Sequence, residues 1–267
     1  MVGDWVTHSI KNMEKRLFDK IAMVKTLVLL LMLGMLWVLA GCVKDGGVCL
    51  STNGQKIQQN RNLTDFNQID IKDNVNLILS TDTIKDVIVE AGQNIINGIT
   101  TKIVDGQLLI RNNNKCNWLR DYSKPINVYV SNKKLWKIIY NGSGNISTSG
   151  TLKQDSISLE VWGGCGTIDL SLDLWQGNFS LNMGTVDFRL HGVCAITTVY
   201  SGDYGLYDAR DMKTGYTFIT NKGSNDCYVQ AVNYLDATIG SIGNIYYKGE
   251  PKSIKIKING SGQVLPL

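Results

Sequence analysis

Two segments of the chain carry the same order of residue types, Gly166-Thr167-Ile168-Asp169-Leu170 and Gly184-Thr185-Val186-Asp187-Phe188. If successive coils of a sheet align them, Asp169 lies over Asp187 at about the inter-strand spacing of 4.8 Å. Two carboxylates that close repel, so the pair would share a proton, keep one member neutral or bind a cation. That chemistry would suit a calcium site, or an acid/base pair in a carbohydrate-active enzyme, a lyase or a hydrolase. The plainer reading is an outward column relieved by solvent or by Arg189. Other catalytic parts are missing. His191 is the only histidine after the N-terminal segment. No serine sits in a Gly-x-Ser-x-Gly elbow, and no glycine loop follows a strand and opens a helix as nucleotide binding requires. No cofactor is implied.

Aromatic residues offer binding rather than bond-breaking. Tyr200, Tyr204, Tyr207, Tyr216, Tyr228, Tyr234, Tyr246 and Tyr247 crowd the second half, and rings with polar tips suit sugar rings or protein partners. Stacked tyrosines are also ordinary stabilisers of a solenoid. Tyr200, Tyr204, Tyr207, Tyr228 and Tyr246 are the candidate binding residues. Trp118, in the polar, aromatic stretch from Asn112 to Tyr122, is a further candidate, with packing against the sheet as the plainer role. The six cysteines contain no C-x-x-C pair and no nearby histidine set, which excludes a zinc site of familiar spacing. An oxidising compartment permits a Cys49–Cys116 bridge without the sequence establishing it. Cys165, Cys194 and Cys227 lie in or beside β runs and read as small buried fillers.

The elements that would position these residues are set by glycine. Gly142-Ser143-Gly144, Gly164-Cys165-Gly166, Met183-Gly184, Gly202-Asp203, Gly223-Ser224-Asn225, Gly240-Ser241-Ile242 and Gly260-Ser261-Gly262 recur at intervals of roughly 17 to 22 residues, the signature of a solenoid with one repeat per coil. Between them run short alternating segments such as Ile157–Val161, Thr217–Thr220 and Ile254–Ile258, each with one inward and one wet face. Residues 63–140 have β character without the glycine period. Asp105-Gly106 between Ile103-Val104 and Leu108-Leu109-Ile110 predicts a hairpin. This region is expected to be an opening sheet that covers one end of the solenoid, which occupies residues 141–267.

The N-terminus reads as a targeting segment. Lys25 precedes an apolar run from Leu27 to Leu39, followed by Ala40 and Gly41, the charge, core and small-residue order of a secretory signal over residues 1–41. The run is shorter than the roughly 20 residues a spanning helix needs. Leu39-Ala40-Gly41-Cys42 resembles the bacterial lipobox, which would make Cys42 the lipidated first residue of the mature chain. Met23 makes a more ordinary start than Met1. Residues 42–62 then form the lipidated cysteine and a polar tether. Val43, in place of a retaining aspartate, favours the outer membrane, facing periplasm or exterior. Charge excludes nucleic acid as a partner: 27 Lys+Arg face 23 Asp+Glu over the whole chain, and no basic block follows Cys42.

The Phe66-Asn67-Gln68-Ile69 opening, the Val104-Asp105-Gly106-Gln107-Leu108 hairpin, the Gly-Ser-Gly corners, Ile245-Tyr246-Tyr247-Lys248-Gly249-Glu250-Pro251 and the closing Asn259-Gly260-Ser261-Gly262 together resemble the auto-transporter adhesin head GIN domain family. The resemblance covers Leu63 to Val264. It implies an all-β, right-handed parallel β-helix and an exported, often lipid-anchored protein of the Bacteroidetes. The expected function is an adhesin-like module, anchored in the membrane through lipid, whose β-helical head binds glycan or a cell-surface protein. The alternatives are the carbohydrate-active enzyme using Asp169 and Asp187, and a structural envelope component.

Overall fold

The computed structural model describes residues 52–63, 65–81, 87–117 and 123–267, together with positions 23, 25, 26 and 28–32. The chain divides into two units, Met1–Ser51 and Thr52–Leu267. In the first unit the described positions are helical and exposed. Among the described residues no helix is long and apolar enough to cross a membrane. Cys42 and Cys49 lie outside the described residues.

The second unit is nearly all β, a parallel solenoid of about 6 turns with a curled sheet. Its opening strands are β1 (Lys56–Asn60), β2 (Gln68–Asp73), β3 (Val75–Leu79), β4 (Ile88–Gly92), β5 (Ile99–Val104), β6 (Gln107–Asn112) and β7 (Ile126–Val130). There follow β8 (Lys137–Gly142), β9 (Ile146–Thr148), β10 (Leu152–Ser201), β11 (Tyr207–Asn221), β12 (Cys227–Ile239), β13 (Ile245–Lys248), β14 (Ser253–Ile258) and β15 (Val264–Pro266). Period-two alternation decides which way each side chain faces. In β3, Val75, Leu77 and Leu79 are buried while Asn76 and Ile78 between them are partly exposed. Parallel register then stacks like on like. Ile69 lies beside Leu108 on one side and Ile138 on the other, and Ile138 beside Leu159, all four without measurable exposure. Each such buried side chain contributes about 1.5–3 kcal/mol relative to leaving it in water.

The first coils are laid down out of chain order. The pair β2–β3 is flanked in parallel by β8–β9 on one side and by β6–β7 on the other. The chain therefore builds an inner coil, steps outward to make the terminal one, and returns. Much of residues 63–140 thus belongs to the solenoid itself rather than to a separate covering sheet. The covering role falls to three antiparallel strands, β5 on β6, β4 on β7 and β1 on β4. β1 comes from residues expected to be tether. The hairpin forms where the sequence placed it: Val104 pairs with Gln107, and Asp105 and Gly106 take φ of 50° and 76°, the left-handed pair that a two-residue primed turn needs.

The glycine corners are close approaches of backbone to backbone. A Cβ on Gly164 would stand 1.9 Å from the Gly142 carbonyl oxygen, with φ at +116°. One on Gly106 would meet nothing nearer than the Asn67 side chain at 3.9 Å. Gly164→Ala should therefore lower the unfolding free energy by more than about 2 kcal/mol, whereas Gly106→Asn, which tolerates the left-handed region, should change it by less than about 0.5 kcal/mol. Urea midpoints of the two variants test the assignment, and equal effects would refute it.

Glu90 ties the covering strands together. Its carboxylate accepts from Lys56 Nζ at 2.9 Å and Gln58 Nε2 at 2.8 Å on β1, and from Asn127 Nδ2 at 2.9 Å and Tyr129 Oη at 3.3 Å on β7. Burial pushes its pKa up, but the hydrogen bonds from Lys56, Gln58 and Asn127 outweigh burial and bring it from 4.5 to about 2. A depressed carboxylate contributes its stability fully above the unfolded value and loses it as pH falls through the folded one. The melting temperature should therefore drop between about pH 5 and pH 2. Glu90→Gln should cost about 1–3 kcal/mol at pH 7 and flatten that acid limb. An unchanged limb in the variant would assign the acid sensitivity elsewhere.

Candidate functional site

A chain that turns a corner in every coil interrupts its strand ladder there, and the backbone N–H groups it leaves must find other acceptors. Asparagine and aspartate at equivalent places supply them. Asn76 Oδ1 accepts the N–H of Asn145 at 2.8 Å, and Asn145 Oδ1 that of Thr167 at 2.9 Å. Asp187 Oδ1 accepts the N–H of Leu206 at 3.0 Å, Asp226 Oδ1 that of Asn244 at 2.9 Å, and Asn244 Oδ1 that of Gln263 at 2.8 Å. Asp187 is thus a rung of a side-chain ladder running along one corner.

Asp169 goes elsewhere. It is exposed, and its Oδ1 lies 3.3 Å from His191 Nε2, while His191 Nδ1 lies 3.9 Å from Asp211. The backbone of Gly184 rests on Gly164 and that of Gly192 on Leu172. The same interval carries Asp169 to Arg189, not to Asp187. The expected stacking of Asp169 over Asp187 does not form: the recurring Gly-Thr-x-Asp order is out of step with the coil by two residues, because Gly166 and Gly184 occupy different corner positions. Arg189 in turn pairs in register with Asp208, so the outward column alternates in charge. Among the described residues no group of three or more His, Cys, Asp or Glu side chains is placed to hold a metal ion. Asp187→Asn keeps the accepting oxygen and should leave stability within about 0.5 kcal/mol, whereas Asp187→Ala should cost about 1 kcal/mol, as loss of a capping acceptor does. Equal losses in a urea titration would break the ladder assignment.

The tyrosines do not form one face. Tyr207 is 2% exposed; it pairs in register with Phe188 and Cys227, its ring 5.7 Å from that of Phe188. It opens β11 in the inward phase and belongs to the core, a correction to its place among the binding candidates. Tyr228 and Tyr246 are adjacent outward residues on neighbouring strands, stacked at 5.2 Å and 12°. The Arg210 guanidinium sits 4.6 Å over the Tyr228 ring and clasps Asp208 at 2.9 and 2.6 Å, holding that carboxyl below its ordinary range. Tyr204 is 64% exposed at a corner. Tyr200 lies on a different strand column, beside Thr220, with the Lys222 ammonium 5.9 Å over its ring.

On that second face the structure adds residues that were passed over. Tyr216 pairs with Tyr234, the rings of Phe218 and Tyr234 are 5.7 Å apart, and Tyr216 and Phe218 are 48% and 39% exposed. The signal was the phase of Tyr216-Thr217-Phe218-Ile219: an inward Thr217 puts both aromatics outside. Trp162 and Trp175 are also exposed. Trp118 lies outside the described residues.

Cys194 and Cys227 are buried, as fillers should be, and burial pushes the Cys227 thiol up to about 12. Cys165 is exposed instead, because its corner between two positive-φ glycines turns the side chain out. Its carbonyl is the part that works inside, accepting the buried Tyr140 hydroxyl at 2.8 Å while the Gly144 carbonyl accepts it at 2.6 Å. Cys116 is disulfide-bonded. Its partner is not among the described cysteines, since Cys165, Cys194 and Cys227 are free.

The second unit is a coiled parallel sheet that carries aromatic side chains in outward columns. The chain belongs to the family described as "Putative auto-transporter adhesin, head GIN domain", which it matches over residues 65–251. Among solved structures it is similar to a putative adhesin from Bacteroides fragilis, with a TM-score of 0.69 and 22% identity, covering 80% of this chain and 97% of that one. A putative adhesin from Parabacteroides distasonis has a TM-score of 0.57 at 18% identity, covering 80% and 98%. A protein of the same species described as a putative lipid binding protein has a TM-score of 0.58 at 17% identity, covering 81% and 98%. At these identities the likeness is one of fold. No curated protein matches the chain.

Proposed function

We propose that the protein is an outer-membrane lipoprotein, anchored through Cys42, whose solenoid holds aromatic side chains outward to bind glycan or protein on another surface. The observation that carries this reading is the pair of outward aromatic groups, Tyr216, Phe218 and Tyr234 on one face and Tyr228 with Tyr246 on another. A solenoid wall holds such rings at fixed spacing with little entropy left to lose on binding, which favours affinity without a deep pocket. The family description is that of an adhesin head, and it supports a place in the cell envelope. Two or more acyl chains give stable anchoring, since each buried methylene contributes about 0.8 kcal/mol.

Expressed with an exporting bacterial host, the full chain should incorporate labelled palmitate and partition with the outer membrane, and Cys42→Ala should do neither. The full chain in detergent, applied to an array of envelope polysaccharides and glycoproteins, should be retained without releasing cleaved products. Phe218→Ser with Tyr228→Ala should lower retention at least about tenfold, the scale of losing buried aromatic contacts. Product formation would overturn the binding reading, and unlabelled wild-type chain would overturn the anchor.

A further inference from the structure

A polar hollow lies away from both aromatic faces. It is a cleft of about 440 Å³ near the covered end, and five of its lining residues are asparagines: Asn53, Asn74, Asn76, Asn117 and Asn145. Lys124 and Ser143 stand among them, with Ile95, Pro125 and Ile126 as its apolar wall, and among the described residues no acidic side chain lines it. A primary amide offers an acceptor at one end and two donors at the other. Which end faces the cleft follows from backbone groups whose chemistry is fixed. The N–H of Asn114 donates to Asn112 Oδ1 at 3.1 Å, so Asn112 presents its NH₂ end to Asn74 Oδ1 at 2.7 Å and to Asn117 Oδ1 at 3.2 Å. The N–H of Thr167 donates to Asn145 Oδ1 at 2.9 Å. In Asn74, Asn117 and Asn145 the acceptor end is therefore spent inside the protein, while among the described residues no hydrogen bond takes the Nδ2 donors. Lys124 uses one of its three protons on the Gly54 carbonyl at 3.2 Å. Among the described lining residues the cleft is rich in amide donors and holds one positive charge, that of Lys124.

From this arrangement we infer that the cleft binds a saccharide carrying a carboxylate, a uronic or sialic acid unit. The ligand must be rich in acceptors, which the carboxylate, ring oxygen and hydroxyls supply. Among the described lining residues Lys124 is the one cation and there is no arginine, which matches one negative charge rather than the doubly charged, forked demand of a phosphate. Ile95, Pro125 and Ile126 give the C–H face of a sugar ring an apolar surface, and the volume suits one or two rings. The inference does not rest on the aromatic faces, which carry the proposed adhesive function separately.

The test is a calorimetric titration of the full chain in detergent with methyl galacturonoside, methyl glucuronoside and N-acetylneuraminate. Methyl galactoside is the uncharged match and inorganic phosphate the competing anion. At least one acidic sugar should bind about tenfold or more tighter than both controls. Asn74→Asp and Asn145→Asp retain the oxygen that accepts inside the protein and replace the inward donor by an acceptor that repels a carboxylate. Each should weaken binding about tenfold or more with the melting temperature held. Lys124→Gln, at an exposed position, should weaken it about threefold to tenfold and flatten its salt dependence. The inference is overturned if no acidic sugar binds at 10 mM-scale concentrations (about 10 mM, weaker than the usual range of specific sites), if the neutral match or phosphate binds as well, or if folded Asp and Gln variants bind like the parent. Aromatic-face variants should leave this titration unchanged, so failure here and failure of the adhesive reading are told apart.

Discussion

The structure depends on how closely one coil's backbone can lie on the next at the corners. Along the straight segments, parallel strands settle the spacing by their own ladder. At the corners the ladder breaks, and two devices replace it. Glycine lets the carbonyl of one coil enter the space a Cβ would fill in the next, as Gly142 does beneath Gly164, and asparagine or aspartate accepts the N–H groups left over, as Asp187 does for Leu206. A larger residue would push the coils apart and break the inward stacks that Ile69, Ile138 and Leu159 build between them. Corner chemistry and core packing are therefore one constraint expressed at two places.

The two ends of the solenoid meet that constraint differently. At the first end, β4 and β5 run antiparallel against the terminal coil and β1 adds to β4, with Glu90 gathering donors from both neighbouring strands. At the other, β14 continues the inward phase of Leu235, Ala237 and Ile239, yet Ile254, Ile256 and Ile258 are 39%, 48% and 54% exposed. Lysines alternate with them, and Lys255 is held by Asp236 at 3.0 Å. Charges interleaved along an edge discourage a further strand from adding in register. The edge is guarded by charge where the other is covered by chain.

Much of this was legible in the sequence because glycine and alternation report backbone geometry directly. The period of the corners gave the solenoid, and Asp105-Gly106 gave the hairpin at its true position. The order of the first coils was not legible: nothing local in β2, β3, β6 or β7 says that the later pair stacks outside the earlier one, since parallel pairing between remote segments is decided by burial across the whole sheet. Register failed for a related reason. Gly166-Thr167 and Gly184-Thr185 look equivalent as words, but only contacts between coils reveal that Gly184 answers to Gly164. With that slip Asp169 and Asp187 part company, one to the half-buried His191 and the other to a backbone donor. Tyr207 was misread because a tyrosine at the start of a strand has either phase open to it until the neighbouring Phe188 and Cys227 are placed.

The recurrent Asn and Asp positions show how one device serves both architecture and recognition. A corner asparagine that gives its oxygen to the neighbouring coil has its amide orientation fixed by a backbone N–H, a group that can only donate. Its NH₂ end is then turned outward at a position set by the coil spacing, without the rotamer freedom a surface side chain would otherwise lose on binding. Elsewhere in the ladder Asn76 passes its NH₂ to Asn127 Oδ1 and Asn244 to the Tyr246 hydroxyl. Near the covering strands Asn145, held by the Thr167 N–H, and Asn74 and Asn117, held by the Asn112 side chain, line one hollow. A binding cleft can thus arise from the stacking rule itself, at the place where the repeat ends and the chain folds back over it.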